Sequence, residues 1–157
     1  MAQRTRKPES GTSKLFKLLK DDHAKVMELF EEVEENGSSG ESAKEIFSQI
    51  QKELQIHMEG EEKYFYPILE KHEEAKQEVL EGFEEHDVVK TMLKSFEKVS
   101  PGNDRWMAKM KVLKEIVEHH VKEEEKEMFK LARKALDKEQ AQDIAESIEA
   151  AKEEETA

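Results

Sequence analysis

The chain has 157 residues, 26 of them Lys or Arg and 38 Asp or Glu, for a formal charge of −12; a field of that sign repels polyanions, so nucleic acid is not an expected partner. Charged residues make up 41% and hydrophobic ones 36%, which suits slender amphipathic elements with wide solvated faces. There is no cysteine, which removes disulfides, iron–sulfur clusters, thiolate zinc sites and cysteine nucleophiles, and leaves nitrogen and oxygen as the metal donors.

Residues 1–12 read as a loose basic arm. A first helix follows, in which Phe16, Leu19, His23, Val26, Phe30 and Val33 recur at spacings of three and four, with Asn36-Gly37 as its stop. Ser42 and Glu45 form a capping box for a second helix, whose face runs Phe47, Ile50, Leu54, His57, Glu61, Phe65, Ile68 to about Glu70, with Pro67 expected to loosen its last turn. A third helix carries Val79, Phe83, His86, Val89, Leu93 and Phe96 and ends before Ser100-Pro101-Gly102-Asn103. Asp104 is the predicted cap of the fourth, whose stripe is Leu113, Val117, His120, Glu124, Met128 and Leu131. A shorter fifth helix, capped by Asp137 and Gln140 and apolar at Ile144, Ala145 and Ile148, reads as an appendage with a fraying acidic end. The short connections make sequential helices antiparallel neighbours. The expected fold is therefore all-α: an up-down-up-down antiparallel four-helix bundle over residues 13–136 and a short additional C-terminal helix with an acidic tail over 137–157. No apolar run approaches the ~20 residues of a membrane span, and MAQRTRKPESG lacks the apolar stretch of a secretory signal. A cytoplasmic protein without a membrane partner is expected.

Each of the four bundle helices carries a histidine mid-stripe, and two add a glutamate one turn on. An internal repeat at an offset of 63 residues lays His23 on His86, His57 on His120 and Glu61 on Glu124, with Val26 on Val89, Leu54 on Val117 and Phe65 on Met128 following. The chain thus reads as two helical hairpins, each contributing His and then His-x-x-x-Glu. Counting ~1.5 Å per residue from the predicted turns, the histidines of each hairpin come out level, and all six polar side chains can meet at mid-bundle. Histidine and glutamate four apart share a helical face, so both can reach one ion or adjacent ions. Four imidazoles and two carboxylates suit iron or manganese in a two-metal site better than structural zinc, which closes with four ligands.

Asp22-His23, HMEGEEKYFYP from His57 to Pro67, Glu85-His86 and HVKEEEKEMF from His120 to Phe129 carry a resemblance to the hemerythrin-like, or HHE cation-binding, domain over roughly residues 13 to 136. The resemblance implies a cofactor of two iron ions, a non-haem di-iron centre bridged by oxo or hydroxo, with His23, His57, His86 and His120 as terminal ligands and Glu61 and Glu124 as bridges. It also implies the family's activities, which are binding dioxygen, sensing oxygen or iron, or handling nitric oxide and peroxide. The oxygen carriers of that family have a fifth histidine one turn from the third-helix ligand, whereas Gly82 and Lys90 stand four either side of His86. That departure leaves a coordination position open at each iron, which favours electron transfer to oxygen over release of the intact gas. Gly82 costs its helix about 1 kcal/mol relative to alanine, so the space it leaves beside the site is expected to have a use.

His72 lies beyond the stripe and His119 is turned about 100° from the ligand face, so neither is expected to coordinate. Glu62 and Glu125 repeat but stand five residues from a histidine, which suits solvation or support of the ligands. Tyr64, three after Glu61, fits two readings equally, a hydrogen bond donated near the ligand stripe or ordinary amphipathic packing, and Trp106 reads as a packing anchor. Three functional classes fit: a di-iron protein that binds or senses dioxygen or a related small ligand, a di-iron redox enzyme acting on dioxygen, peroxide or nitric oxide, and an acidic helical module that binds a protein partner, through the fifth helix, without a metal. A ferritin-like oxidase is excluded, because that class uses Glu-x-x-His. The residues three before each histidine are Lys20, Leu54, Leu69, Phe83, Ile116 and Val117.

Overall fold

A computed structural model describes residues 11–36 and 40–156. The basic arm before residue 11 and the predicted Gly37 stop lie outside the described residues. The bundle is made of α1 (Gly11–Asn36), α2 (Gly40–Gly60) continued through a π-turn (Glu61–Phe65) into α3 (Tyr66–Glu70), α4 (Glu73–Ser95), and α5 (Asp104–Glu123) continued through a second π-turn (Glu124–Met128) into α6 (Phe129–Ala135). A last helix, α7 (Lys138–Thr156), follows. Among the described residues, none of these helices is long and apolar enough to cross a membrane.

Local chemistry sets the boundaries. Helix α2 starts at Gly40, whose φ of +79° suits glycine, so Ser42 falls inside the helix rather than capping it. The cap of α5 is Asn103, whose side chain accepts the Arg105 N–H at 2.8 Å, and not Asp104, which is the first helical residue. Asp137 and Gln140 do form a reciprocal box, at 2.8 and 3.1 Å, that opens α7.

The four rods form a closed ring, with α1 beside α2 and α5, and α4 beside α3 and α5. Two apolar clusters fill it. One contains Val26, Phe30, Ile50, Leu54, Leu93, Trp106, Leu113 and Val117, with Trp106 packed edge-on to Phe96 and Phe47, as expected of an anchor. The other contains Leu15, Leu19, Phe65, Tyr66, Val79, Met128 and Phe129. Between them lies a layer of buried polar residues: Asp22, His23, His57, Glu61, His86, His120 and Glu124.

Helix α7 is not an appendage. It lies along α1 and touches α2, and Ala141, Ile144, Ala145 and Ile148 are buried in the second cluster. Gly60 faces Ile148 across this contact, and a Cβ built on it would stand at an ordinary van der Waals distance of 3.5 Å. Ile144→Ala should therefore destabilise the protein by about 2–4 kcal/mol, as for a core aliphatic residue. Denaturant titration measures this, and a change near zero would mean that α7 folds apart from the bundle.

Candidate metal centre

The two π-turns occupy equivalent positions, 63 residues apart, and each begins at a glutamate of the repeat. In each, the backbone N–H five residues on returns to the glutamate carbonyl: Tyr66 to Glu61 and Phe129 to Glu124. Pro67, which lacks an N–H, is not the cause, because Lys130 stands in the same place in the second copy. The extra residue in each turn rotates the next stretch of helix about its axis, and π-bulges of this kind recur at functional sites.

All six candidate ligands converge. His23 Nε2 lies 3.1 Å from His57 Nε2 and 3.1 Å from Glu124 Oε1, while His57 Nε2 is 3.3 Å from Glu61 Oε2. On the other side His86 Nε2 is 3.1 Å from Glu61 Oε1, and His120 Nε2 is 3.6 Å from Glu124 Oε2. The result is two overlapping four-residue cages: His23, His57, Glu61 and Glu124 in one half, and His86, His120, Glu61 and Glu124 in the other. Each carboxylate offers one oxygen to each half.

The second nitrogen of every ring is also held. His57 Nδ1 meets Asp22 Oδ2 at 2.9 Å, His120 Nδ1 meets Glu85 Oε1 at 2.5 Å, His86 Nδ1 meets Glu62 Oε2 at 2.7 Å, and His23 Nδ1 meets Glu125 Oε2 at 2.6 Å. With Nδ1–H donated to a carboxylate, the Nε2 lone pair points inward and gains basicity, which is how protein imidazoles are prepared for metals. Of the two roles their spacing left open, solvation or support, Glu62 and Glu125 take the second, each holding the ring of a candidate ligand. The parallel role of Asp22 and Glu85 escaped sequence reasoning, although both precede a histidine and map onto each other in the repeat.

Electrostatics favour a cation in the centre. Glu61 is fully buried, and neither of its oxygens nor Oε1 of Glu124 accepts a hydrogen bond. Burial alone would raise the Glu61 carboxyl, but His57 and His86 outweigh it and hold it well below the carboxylate range. Burial likewise pushes His86 down, yet Glu61 and Glu62 raise it to about 9. His57 and His23 are raised in the same manner, against burial, by Glu61 and Asp22 and by Glu124 and Glu125. A charge must occupy this layer, as protons or as metal. Four nitrogens and two carboxylates, three of whose four oxygens accept no hydrogen bond, with no sulfur, fit iron or manganese.

The halves differ in one aromatic residue. Tyr66 donates its hydroxyl to Glu124 Oε2, and its oxygen stands 3.4 Å from His86 Nε2 and 3.5 Å from His120 Nε2. Its ring stacks on His86 at 5.1 Å, as its repeat counterpart Phe129 stacks on His23 at 6.4 Å. Burial first, and then the Glu124 and Glu61 carboxylates, raise the phenol well above its ordinary value, so it keeps its proton. The predicted Tyr64 instead lines a groove beside α7. Gly82 makes room for Tyr66: a Cβ there would lie 3.0 Å from the phenol oxygen and 3.0 Å from Met128 Cε. His119 is 69% exposed, with only a long 3.9 Å approach to Glu85, and His72 sits at the cap of α4. On the face toward the first apolar cluster, Val26, Val89, Leu54, Val117, Met58 and Val121 close a cavity of about 20 Å³ over the four histidines.

The family model described as hemerythrin HHE cation binding domain matches residues 14–132. The chain belongs to that family. Its cation-binding reading accords with the buried histidine–glutamate cages. Among curated relatives it is 30% identical over 135 residues to a protein named DNA nickase from Nostoc sp. (strain PCC 7120 / SAG 25.82 / UTEX 2576), covering 86% of this chain and 38% of the relative. It is 29% identical over 133 residues to an uncharacterized hemerythrin-like protein of Schizosaccharomyces pombe (strain 972 / ATCC 24843), covering 83% of this chain and 65% of the relative. The chain therefore spans less than two thirds of the length of either. No solved structure matches.

Two outcomes are expected of this hemerythrin-family chain. His120→Ala should weaken metal binding at least ~10-fold while His119→Ala spares it; equal losses in a chelator competition would place the ligand face wrongly. The second concerns pH. Because His86 is raised to about 9, its contribution to the metal-free fold is fully present below an unfolded value of ~6.5 and is lost as pH rises through about 9. Metal must displace that proton, so metal affinity moves the opposite way and grows over the same window. Thermal melts with and without metal should draw together toward pH 6 and separate toward pH 9.

Proposed function

We propose that the protein is a non-haem di-iron-binding protein that engages dioxygen or a comparably small ligand, in an oxygen- or iron-binding or sensing role. The observation that carries this reading is the sharing of Glu61 and Glu124 between two cages, since a carboxylate with one oxygen in each half suits two ions and has no purpose around one. Iron bound there supplies reversible one-electron chemistry and open positions for a small ligand. His23 and His57 would hold one ion, His86 and His120 the other, and Glu61 and Glu124 both.

The chain's own groups set what can enter and what can be exchanged. The cavity of about 20 Å³ exceeds the ~10–15 Å³ that one water requires only slightly, so it admits a molecule of two or three atoms. The apolar side chains that close it over the histidines and Asp22 favour a small apolar guest such as dioxygen over a hydrated anion. Tyr66 keeps a proton at its hydroxyl beside Glu124, within reach of whatever gathers negative charge in the centre. That proton favours the second reading, a di-iron redox enzyme acting on dioxygen, peroxide or nitric oxide. Nicking of DNA is not proposed: the name belongs to a relative of which this chain spans 38%, and a charge of −12 opposes a polyanion.

Protein produced with ample iron should contain about two irons per chain by metal analysis, as the shared carboxylates require. A single zinc, or no metal, would overturn the reading. When the reduced iron protein is mixed with oxygen and the gas is then removed, the optical spectrum should stay that of the oxidised form. A return to the reduced spectrum would make reversible carriage the better description.

A further inference from the structure

The last helix reaches the metal layer. Lys152 of α7 pairs through Nζ with Oδ1 of Asp22, a residue 130 positions earlier in the chain, and Asp22 uses its other oxygen to hold His57 Nδ1 at 2.9 Å. The Asp22 side chain is 9% exposed and that of Lys152 28%, so the pair is shielded well enough to be felt at the imidazole. The repeat shows how particular this is. Glu85, the counterpart of Asp22, holds His120 in the same way, but its second oxygen meets only the exposed His119 at 3.9 Å. Glu62 does carry a lysine, Lys90, at 3.0 Å, yet Lys90 lies one turn from His86 on the same helix and ties no distant segment to the site.

From this we propose that Lys152 is a positioning residue for the half of the centre built on His23 and His57, and that it makes the docking of α7 and the occupancy of that half one coupled equilibrium. The inference rests on the two-ion reading above. With Lys152 in place, Asp22 is fixed in one rotamer and oriented on His57, so Nε2 is presented to the ion at no further ordering cost. Without it, a nearly buried carboxylate loses its cation and swings toward solvent, and His57 loses its orienting partner. Coupling is reciprocal: whatever factor α7 docking adds to metal affinity, metal adds to α7 docking. A segment outside the matched family region of residues 14–132 therefore governs one half of the centre and not the other.

Anaerobic titration of the full chain with ferrous iron alone tests this. The native protein should take up two ions, and Lys152→Met should weaken one step at least ~10-fold while sparing the other, the scale expected when the partner of a ligating histidine is lost. Lys152→Arg should restore it. Lys14→Met removes a different tie between α1 and α7, the 3.1 Å pair with Glu149, which touches no ligand partner, and should leave both steps unchanged. Hydrogen exchange gives the second readout. Iron should slow exchange across residues 138–156 of the native chain, and Lys152→Met should abolish that difference. The inference falls if Lys152→Met leaves both steps intact, if Lys14→Met reproduces its effect, or if exchange in α7 ignores iron. A native chain that takes up no iron, or one ion only, overturns the two-ion reading and this inference together.

Discussion

Two carboxylates buried where no water reaches them dictate the rest of the molecule. Glu61 and Glu124 are 0% and 1% exposed, and an ion removed from water without compensation costs several kcal/mol. The bundle answers with a graded sequence of charges rather than a single neutralising partner. Around the two carboxylates stand four imidazoles, behind each imidazole stands Asp22, Glu62, Glu85 or Glu125, and behind Asp22 and Glu62 stand Lys152 and Lys90. Each lysine is more exposed than the carboxylate it pairs with, Lys152 at 28% against 9% for Asp22 and Lys90 at 45% against 23% for Glu62, and the innermost charge is left for a cation. The two apolar clusters on either side seal the layer and supply the folding free energy that holds such a polar stratum in place.

Much of this was legible from residue order. The 63-residue repeat aligned the six ligand candidates because a bundle built from two hairpins has pseudo-twofold symmetry. Histidines, glutamates and the aliphatic residues flanking them shared one register, which chance spacing on a single face does not produce. The four rods and the box at Asp137 and Gln140 emerged from periodicity and turn chemistry. What periodicity missed, it missed for one physical reason. A constant 3.6-residue period places Tyr64 on the ligand stripe, whereas the π-turn from Glu61 to Phe65 inserts a residue and delivers Tyr66 instead. The sequence held a cue in the repeat itself, since Tyr66 and Phe129 are paired aromatics just past paired glutamates. The contribution of α7 was missed because its buried stripe is short, two isoleucines and two alanines on an otherwise charged helix. Its docking on α1 and α2, which buries Ala141, Ile144, Ala145 and Ile148, shows only in three dimensions.

The 63-residue repeat accounts for the likeness of the two halves, and their departures from it are where function can be told apart. The inner cages match residue for residue. Outside them, Lys152 ties Asp22 to the last helix while the second oxygen of Glu85 has only the long approach of His119, and a phenol stands on one side where a phenyl ring stands on the other. Two ions held by identical ligands would therefore meet different fields, different rigidity and different proton supply.

The pairing of Tyr66 with Gly82 shows how that inequality is built without adding charge. Gly82 occupies one of the two positions from which a further histidine could have reached the centre, and in the other hairpin the equivalent residue is Leu19, a core side chain. A glycine inside a helix costs about 1 kcal/mol, but here a Cβ would crowd the Tyr66 ring at 3.0 Å and push it from its place, so the cost is offset by what the ring delivers. A tyrosinate would place a third negative charge beside Glu61 and Glu124. Because burial and those same carboxylates keep the phenol protonated, Tyr66 enters the metal-free centre as a neutral donor to Glu124.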